Sequence, residues 1–323
     1  MVIPYKISII PPWKLPEVSF CNYFIGFKKD MTEEETRSIF MEHVVEHQNS
    51  DYIFTDGSKS SAGVGFGVSS SIFNSKGALP VVASNFTAGL YGILTALEKI
   101  SIIDEGSFTI FSDAKSVLQA LGKFNSTNPI VLNILQWLYL LHSRGIQVQF
   151  CWVPAHVGIH GNEEADKLAK QAAVDLRPGR HKVLCKDIYP SIRSSVKNIW
   201  QQQWNLVGLN KMKEIKKEIL PWTYTNMSRR FETALCRLRI GHTRLSHGYL
   251  MTGDQQPFCN DCLVPLTVKH VLIECPSLLE IRCRFLKEAR GQDGTFSLTK
   301  VIGENFCSGI FKFLSEAGLL QKI

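Results

Sequence analysis

The chain has no uninterrupted apolar run of the roughly 20 residues that a membrane-spanning helix requires. Its N-terminal stretch is apolar at first, but Pro4, Lys6, Pro11 and Pro12 interrupt it, and no cleavage-like site follows. The sequence therefore lacks the marks of an export signal and of a membrane anchor. We expect an intracellular protein, cytoplasmic or nuclear and not secreted. Its nine cysteines are then expected to be reduced thiols or metal ligands and not disulfides.

The sequence also lacks internal repeats and low-complexity tracts, so it has neither a solenoid pattern nor a disordered composition. Its 323 residues, of which 45% are hydrophobic and 20% charged, suffice for two domains or for one domain with a large extension. Composition thus predicts an ordinary folded protein and leaves its chemistry to the motifs.

Acidic residues are scarce between Arg177 and Asp254, although the whole chain has a net charge of only +7. This segment contains fifteen Lys and Arg residues against five Asp and Glu, which gives it a net charge of +10. The excess favours nucleic acid as a partner, because Lys and Arg make most contacts with phosphate. Solvated helix faces explain the same charge equally well, and both interpretations stay open.

From residue 52 onward, short alternating apolar segments give way to segments with helical spacing. The first three predicted elements are strands, at residues 52–55, 63–68 and 81–83. Helices at 88–102, 114–121, 129–142 and 162–174 then alternate with strands at 108–111 and 146–152. Three strands followed by alternating elements predict an α/β fold whose sheet is partly antiparallel and partly parallel.

Composition divides the chain into four predicted parts. They are a proline-rich lead with a short helix (1–50), the α/β domain (51–177), a basic helical segment (178–256) and a cysteine-bearing module (257–323). In the lead, Thr32 followed three residues later by Glu35 is the signature of a capping box at the start of the short helix. In the basic segment, Trp200 and Trp204 share one helix face, which favours packing in a core over stacking on bases.

Three aspartates stand where predicted strands end or a predicted helix begins. Asp56 ends the first strand in a Thr-Asp-Gly-Ser turn, and Asp113 closes the strand at 108–111. Asp166 lies early in the helix at 162–174, after a Trp-Val-Pro-Ala-His motif that ends at His156. Taken alone, Asp56 is a common turn residue and Asp113 a common helix cap. Acids that converge at one sheet edge would instead bind a divalent metal ion.

In order and residue type, these motifs resemble the ribonuclease H family, and in particular the ribonuclease H domain of non-LTR retrotransposon polyproteins, over roughly residues 50–175. The resemblance implies a mixed five-stranded sheet with helices, and an endonuclease that cleaves the RNA strand of RNA–DNA hybrids. Two Mg²⁺ ions, or Mn²⁺, would flank the scissile phosphate. Asp56 would bridge both ions, Asp113 and Asp166 would each support one, and His156 would assist proton transfer or product release. His160 has a weaker claim and is expected to be a surface loop residue.

One position departs from the family pattern, which has a catalytic glutamate in the helix predicted at 88–102. Gly89 occupies that place here and offers no oxygen ligand. Glu98 lies nine residues further on, about 900° around the helix and therefore on its opposite face. Asp104 and Glu105 lie past the helix end. The sequence leaves three alternatives: an active nuclease with a replacement ligand, a weak nuclease that still binds hybrids, and an inactive relic of a mobile element.

The last cysteine-bearing module contains Cys259, Cys262, His270 and Cys275, separated by gaps of two, seven and four residues. This spacing suits one tetrahedral Zn²⁺ of structural type, and it is similar to the zinc-knuckle-like tail downstream of retrotransposon ribonuclease H domains. Ordinary buried thiols are the alternative. His242 and His247 could compete as ligands, but their spacing is less suitable.

The expected partner is an RNA–DNA hybrid or another nucleic acid, with no membrane involved. Because no reverse-transcriptase active-site segment is visible, we expect a fragment of a retrotransposon polyprotein or a separate open reading frame. The sequence leaves the oligomeric state open.

Overall fold

The computed structural model describes residues 2–3, 10–21, 23–24, 31–46, 49–123, 126–175, 177–179, 181–208, 210–222 and 226–323. Pro4 and Lys6, which interrupt the apolar N-terminal stretch, lie outside the described residues. The chain divides into two compact units, residues 1–193 and residues 194–323, and each is described by itself.

The first unit is built on one sheet. Its strands are β1 (Ser19–Cys21), β2 (Asp51–Lys59), β3 (Val64–Ser70), β4 (Asn74–Leu79), β5 (Ser107–Ser112) and β6 (Gln147–Trp152). Among the described residues, these strands form a six-stranded sheet in the order β1-β6-β5-β2-β3-β4. β2, β3 and β4 pair antiparallel, whereas β2, β5, β6 and β1 pair in parallel. The predicted mixed α/β sheet is therefore confirmed, with one more strand than the five expected.

Side-chain caps mark the start of the first two α-helices of the first unit. The helices of this unit are α1 (Glu33–Glu46), α2 (Asn85–Ile100), α3 (Lys115–Leu121), α4 (Pro129–Ser143), α5 (His160–Asp175) and α6 (Cys185–Leu206), of which α6 continues into the second unit. Ser84 accepts a hydrogen bond from the Thr87 amide at the start of α2. The capping box of α1 is confirmed: the Thr32 amide donates to Glu35 at 2.8 Å and the Glu35 amide donates to Thr32 at 3.2 Å.

Alternating side chains of the strands serve two cores, one on each face of the sheet. On one face, residues such as Ile53 and Ile110 pack with α2 and α4. On the other face, Phe54 and Phe111 pack with Phe40 of α1 and with the start of α5. Successive side chains of each strand thus point to opposite faces of the sheet, and a separate layer of helices packs on each face.

The predicted strand at 81–83 is wrong. Those residues form a turn, and the third strand is β4, which pairs with β3 along its whole length. A tight turn fixes this pairing, since the Ser70 amide donates to the Asn74 side chain. Val81 and Val82 are exposed, so their apolar character does not reflect burial in the sheet.

The sixth strand, β1, comes from the proline-rich lead. It adds to the sheet edge by pairing in parallel with β6, with Cys21 opposite Cys151. A three-residue edge strand has too few positions to show a period in the sequence, which explains why it was not predicted.

The C-terminal end of the first unit extends to residues that follow α5. The Tyr91 hydroxyl donates to the Lys182 carbonyl at 2.7 Å, and Val183 and Leu184 belong to the core beneath α2. Asp187 is buried, and its carboxylate accepts from the Thr87 hydroxyl at 2.7 Å. These contacts fasten residues 182–187 to α2.

The second unit is largely helical in its described part. Its further helices are α7 (Lys211–Ile215), α8 (Arg229–Ile240), α9 (Arg244–His247), α10 (Tyr249–Thr252), α11 (Leu279–Phe285), α12 (Leu298–Ile302) and α13 (Ile310–Glu316). A core that includes Leu235, Leu272 and Phe313 joins α7, α8, α11, α12 and α13. The expectation that Trp200 packs in a core is wrong, because 56% of it is exposed. Trp204 is half-buried and donates its indole N–H to the Lys216 carbonyl.

No helix in the described part of the chain is both long enough and apolar enough to cross a membrane.

Candidate active site and candidate metal centre

The register of two parallel strands brings Asp56 and Asp113 together. Thr55 of β2 pairs with Ser112 of β5, so the two aspartates occupy the next position on neighbouring strands. Asp56 does not end its strand, as the sequence suggested, because β3 continues to pair with β2 and places Gly67 opposite Asp56. Asp56 therefore lies within β2, at the level where β5 ends.

The side chain of Asp113 does not cap the following helix. Ala114 is the cap residue of α3 and no side-chain cap is present there, so the capping interpretation is wrong. The Asp113 carboxyl instead receives hydrogen bonds from the carboxyl group of Asp56 and from the Asn162 side chain. The indole N–H of Trp152 donates to the backbone carbonyl of Asp113 at 3.0 Å, which holds this strand end against β6.

The two adjacent carboxyl groups perturb each other. Only 7% of Asp56 is exposed. Burial first, and then repulsion by Asp113, raise the pKa of Asp56 to about 8, although the Gly57 amide donates to its carboxylate at 2.7 Å. Burial also raises the pKa of Asp113. Two carboxylates this close must be neutralised by a proton or a cation, since burial and mutual repulsion both disfavour the charged forms.

Asp166 and His156 stand around this pair. The charge of Asp166, on α5, raises the pKa of both Asp56 and Asp113, while the imidazole of His156 acts in the opposite direction on Asp113. The carboxylate of Asp166 is paired with the Lys170 ammonium at 2.6 Å, one helical turn further on. His156 is exposed on the loop before α5, with a left-handed backbone at φ 56°. His160 is exposed as expected, but it is the first residue of α5 and not a loop residue.

The close approach of α5 to the sheet depends on glycines in and next to β3. A Cβ at Gly67 would lie 2.1 Å from the Ala165 carbonyl oxygen, and one at Gly65 would lie 2.4 Å from that of Ala169. Only glycine leaves room for this contact between helix backbone and strand. The contact places Asp166, the neighbour of Ala165, beside the strand that carries Asp56.

The comparison with known families agrees with this geometry. Residues 48–174 match the family model described as RNase H. This part of the chain is an RNase H domain. The match of this domain supports a hydrolase that acts on RNA–DNA hybrids. No curated protein matches the chain.

Gly89 lies against the strand that carries the first aspartate of the RNase H domain. A Cβ at Gly57 would be 2.6 Å from the Gly89 backbone nitrogen, so α2 and β2 meet at these two glycines. A Cβ at Gly89 would lie 3.1 Å from a methyl group of Val117, so a side chain fits there if Val117 shifts slightly. Glu98, further along α2, is exposed.

Asn162 is a site residue that the sequence analysis missed. It is 3% exposed, its amide N–H donates to Asp113, and its Oδ1 is buried without a hydrogen-bond partner. The residue sits in the first turn of α5, and only the packing of that helix reveals its neighbour. The oxygen atoms of Asp56, Asp113, Asp166 and Asn162 are of the type that Mg²⁺ and Mn²⁺ prefer. The three aspartates do not, however, bring one carboxylate oxygen each within 4.8 Å of one another.

The second predicted metal site is compact. In the described part of the chain, one group of three or more candidate ligands has all its ligand atoms within 4.8 Å of one another, namely Cys259, Cys262, His270 and Cys275. We call these four residues the Cys/His cluster. The Cys275 sulfur lies 3.9 Å from the sulfurs of both Cys259 and Cys262. A tetrahedral zinc site with Zn–S bonds of about 2.3 Å has S···S edges of about 3.8 Å, so the geometry fits Zn²⁺.

Local backbone structure presents these ligands. Cys259 and Cys262 lie in a hairpin-like knuckle in which the Cys259 amide donates to the Val264 carbonyl and Leu263 has φ 53°. His270 begins a π-helical turn that ends next to Cys275. The Nε2 atom of His270 is buried without a partner, as expected of a ring nitrogen that ligates a metal. Neither His242 nor His247 belongs to the cluster.

Arg282 is the second residue that the sequence analysis missed. It is 2% exposed, and its guanidinium donates to the carbonyls of Leu272 at 2.8 Å and Cys275 at 3.0 Å. These bonds fix the turn between His270 and Cys275, so Arg282 positions two of the four ligands. In the sequence it is one arginine among many, and no spacing distinguishes it.

Proposed function

We propose that the RNase H domain binds RNA–DNA hybrids and hydrolyses the RNA strand, and that Gly89 weakens cleavage in this chain. The catalytic residues would be Asp56, Asp113, Asp166 and His156. The observation that carries the proposal is the pair formed by buried Asp56 and half-buried Asp113 where β5 ends, whose pKa values Asp166 and His156 also affect.

Each of these residues has a distinct part in the proposed reaction. Asp56 and Asp113 would hold Mg²⁺ or Mn²⁺ together with Asp166, which would exchange its ion pair with the exposed Lys170 for the metal ion. When bound, two such ions activate the attacking water and stabilise the departing oxygen. The amide of Asn162 orients the Asp113 carboxylate. His156, exposed and close to Asp113, would carry a proton to or from the reacting phosphate.

Glycine at position 89 removes one charged group from this set. Loss of one preorganised electrostatic group lowers the rate by roughly two orders of magnitude or more. We therefore expect slow cleavage by the chain as it stands and faster cleavage by Gly89→Glu. Gly89→Gln is the matched control, because it adds the same bulk beside Val117 without a carboxylate.

Gel analysis of a labelled RNA–DNA hybrid in Mg²⁺ tests this proposal. Gly89→Glu should cleave at least about 100-fold faster than the unchanged chain, with Gly89→Gln within a few-fold of it. Asp56→Asn in the Gly89→Glu background should abolish the gain. Equal turnover by the unchanged chain and Gly89→Glu would contradict the assignment of position 89.

The second candidate function is that of an inactive nucleic-acid-binding relic, and Gly89 is the observation that favours it. It predicts hybrid binding without cleavage in both the unchanged chain and Gly89→Glu.

We also propose that the chain derives from a non-LTR retrotransposon polyprotein and acts inside the cell. The order of an RNase H domain followed by the Cys/His cluster supports the origin in a retrotransposon. The nine free cysteines support the location inside the cell. Codon 89 in sibling genomic copies would show whether the glycine is particular to this copy.

We further propose that the Cys/His cluster holds one structural Zn²⁺. The sulfur spacing of 3.9 Å and the unpartnered Nε2 of His270 support this ligand. Elemental analysis of the purified, folded chain should find about one zinc per molecule. A zinc content near zero would refute it.

A further inference from the structure

Three aromatic rings form a stacked row in the second unit, outside the RNase H domain. The rings of His242 and His247 stack at 4.0 Å between centroids and 16° between planes. Tyr249 continues the row, 6.4 Å from His247 and 29° from its plane. His242 is the exposed end of this ring row, and among the described residues it has no aromatic neighbour on its other face.

A lysine stands beside the middle ring. The Lys211 ammonium lies 3.2 Å from Nε2 of His247, and the Ser246 hydroxyl lies 2.8 Å from Nδ1. An ammonium can only donate, so Nε2 must be the acceptor and Nδ1–H must donate to Ser246. Burial, followed by the charges of Lys211 and His242, lowers the pKa of His247, in agreement with a neutral ring. Both of its nitrogens are occupied, so His247 is not poised to bind a metal.

The ring row and its lysine are held in place by the backbone. Gly241 has φ 76°, and its missing side chain leaves room for the alkyl chain of Lys211, whose Cδ would be 2.6 Å from a Cβ there. Thr243 and Ser246 form a buried capping box at the start of α9. The rings and the ammonium are therefore ordered before any ligand arrives, which lowers the entropic cost of binding.

Positive charge around the ring row is not balanced by acids. The sequence from residue 233 to residue 253 contains Arg237, Arg239 and Arg244 but no Asp or Glu. On α7, the nearby Glu214 is paired with Lys269. In the described part of the chain, the exposed cations of Lys211 and Arg244 take part in no ion pair. Lys211 contacts the ring row, and the exposed Arg244 follows His242 by two residues in the sequence. Cations together with an exposed ring are the two features that binding of single-stranded nucleic acid requires.

We propose that the ring row is a binding site for an unpaired nucleotide of single-stranded RNA or DNA. The base stacks on the free face of His242, and the adjoining phosphates bind Lys211 and Arg244. A base inside a duplex already has both faces covered, so this stacking selects single strands over the hybrid duplex. The ligand class follows from the proposed nucleic-acid function, but the site does not depend on cleavage.

The test measures binding of the full-length chain to a labelled single-stranded oligouridylate by fluorescence anisotropy, with a hybrid duplex of equal length as comparison. His242→Leu should weaken single-strand binding about tenfold, because one base can no longer stack. His242→Phe, which keeps a flat ring, should bind within a few-fold of the unchanged chain. Affinity for the hybrid duplex should change little in either variant.

Lys211→Met tests the phosphate contact, with exposed Lys312→Met as its matched control. The Lys211 variant should bind the single strand more weakly. The slope of log affinity against log salt should also decrease by about 0.7, because one phosphate is no longer neutralised by the protein. Lys312→Met should leave both values unchanged.

Equal losses of affinity for His242→Leu and His242→Phe would overturn the stacking assignment. It would also be overturned if His242→Leu lost equal affinity for the single strand and the duplex, or lost no affinity at all. These outcomes are separate from the fate of the proposed nuclease. Cleavage of the hybrid by Gly89→Glu depends on the RNase H domain and should survive His242→Leu, and failure of that cleavage would leave single-strand binding unaffected.

Discussion

At the scale of single residues, the carboxyl group of Asp56 links stability to pH. Its pKa is raised from 3.8 to about 8 in the folded chain, so between these values the folded state retains a proton that the unfolded state has released. Stability therefore decreases as pH rises from about 4 to about 8. The sign is opposite to that of a carboxylate stabilised by a salt bridge. It is expected of a site built to receive cations.

Asp56→Asn should remove this pH dependence. In chelator, the variant should be more stable than the unchanged chain by on the order of 5 kcal/mol at pH 8, and by less than about 2 kcal/mol at pH 5. It should also lose the stabilisation that added Mg²⁺ gives. Urea unfolding at pH 5 and pH 8, with and without Mg²⁺, provides the measurement. Asp51→Asn, an exposed residue on the same strand, is the control. A pH slope that persists in Asp56→Asn would contradict the assignment.

Arg282 offers a second residue-scale prediction because a neighbouring arginine serves as its control. Arg282→Met leaves the buried carbonyls of Leu272 and Cys275 without donors, which should destabilise the second unit by about 3 kcal/mol. Arg284→Met removes an exposed ion pair with Glu280 and should cost less than about 1 kcal/mol. Thermal unfolding of the two variants gives the comparison. Similar losses of stability in both would show that Arg282 does not support the turn.

The site residues that the sequence revealed differ from those it concealed in a physical way. Asp56, Asp113 and the Cys/His cluster could be predicted because their side chains must be of certain types at certain spacings for metal chemistry. Asn162 and Arg282 act through burial and through bonds to a neighbouring group. Such partners become visible only after α5, or the turn at 270–275, has been placed.

At the scale of elements, the contact between β3 and α5 determines where Asp166 stands. Gly67→Ala would put a Cβ 2.1 Å from the Ala165 carbonyl oxygen, within a backbone contact that has no flexible group to give way. We expect a loss of about 2–3 kcal/mol of unfolding free energy, with displacement of α5.

Gly92→Ala in α2 is the matched control for this contact. The nearest atom to a Cβ at Gly92 is 3.4 Å away, and alanine favours helix, so a gain of up to about 1 kcal/mol is expected. Urea unfolding of both variants decides the point. A Gly67→Ala variant as stable as the unchanged chain would mean that the helix is not held this closely.

The helices and strands also show which parts of the fold the pattern of apolar residues predicts. The core helices α2, α4 and α5 were predicted to within three residues at each end, because their apolar residues recur with helical spacing. β4 was missed because its Asn-Ser-Lys-Gly-Ala-Leu sequence shows no regular apolar alternation. An edge strand buries less side-chain surface than a central strand. The position of β4 is therefore determined by its partner strand β3 and by the turn between them, and less by its own residues.

At the scale of the whole molecule, the two units rely on different sources of stability. The first has cores on both faces of a sheet, whereas the second joins short helices, two of them of only five residues, around one core. Short helices are marginal by themselves, so tertiary packing and ligands must supply what the backbone lacks. The Cys/His cluster is the place in the second unit where a ligand can do so.

Removal of zinc should therefore unfold the second unit and leave the RNase H domain intact. A strong chelator, or Cys275→Ser, should lower the unfolding midpoint of the second unit by about 10 °C or more, because metal binding in such modules is coupled to folding. Cys236→Ser, an exposed thiol outside the cluster, should have no effect. Calorimetry should then show one transition that depends on zinc and one that does not. A single transition insensitive to the chelator would mean that the four ligands are merely packed together.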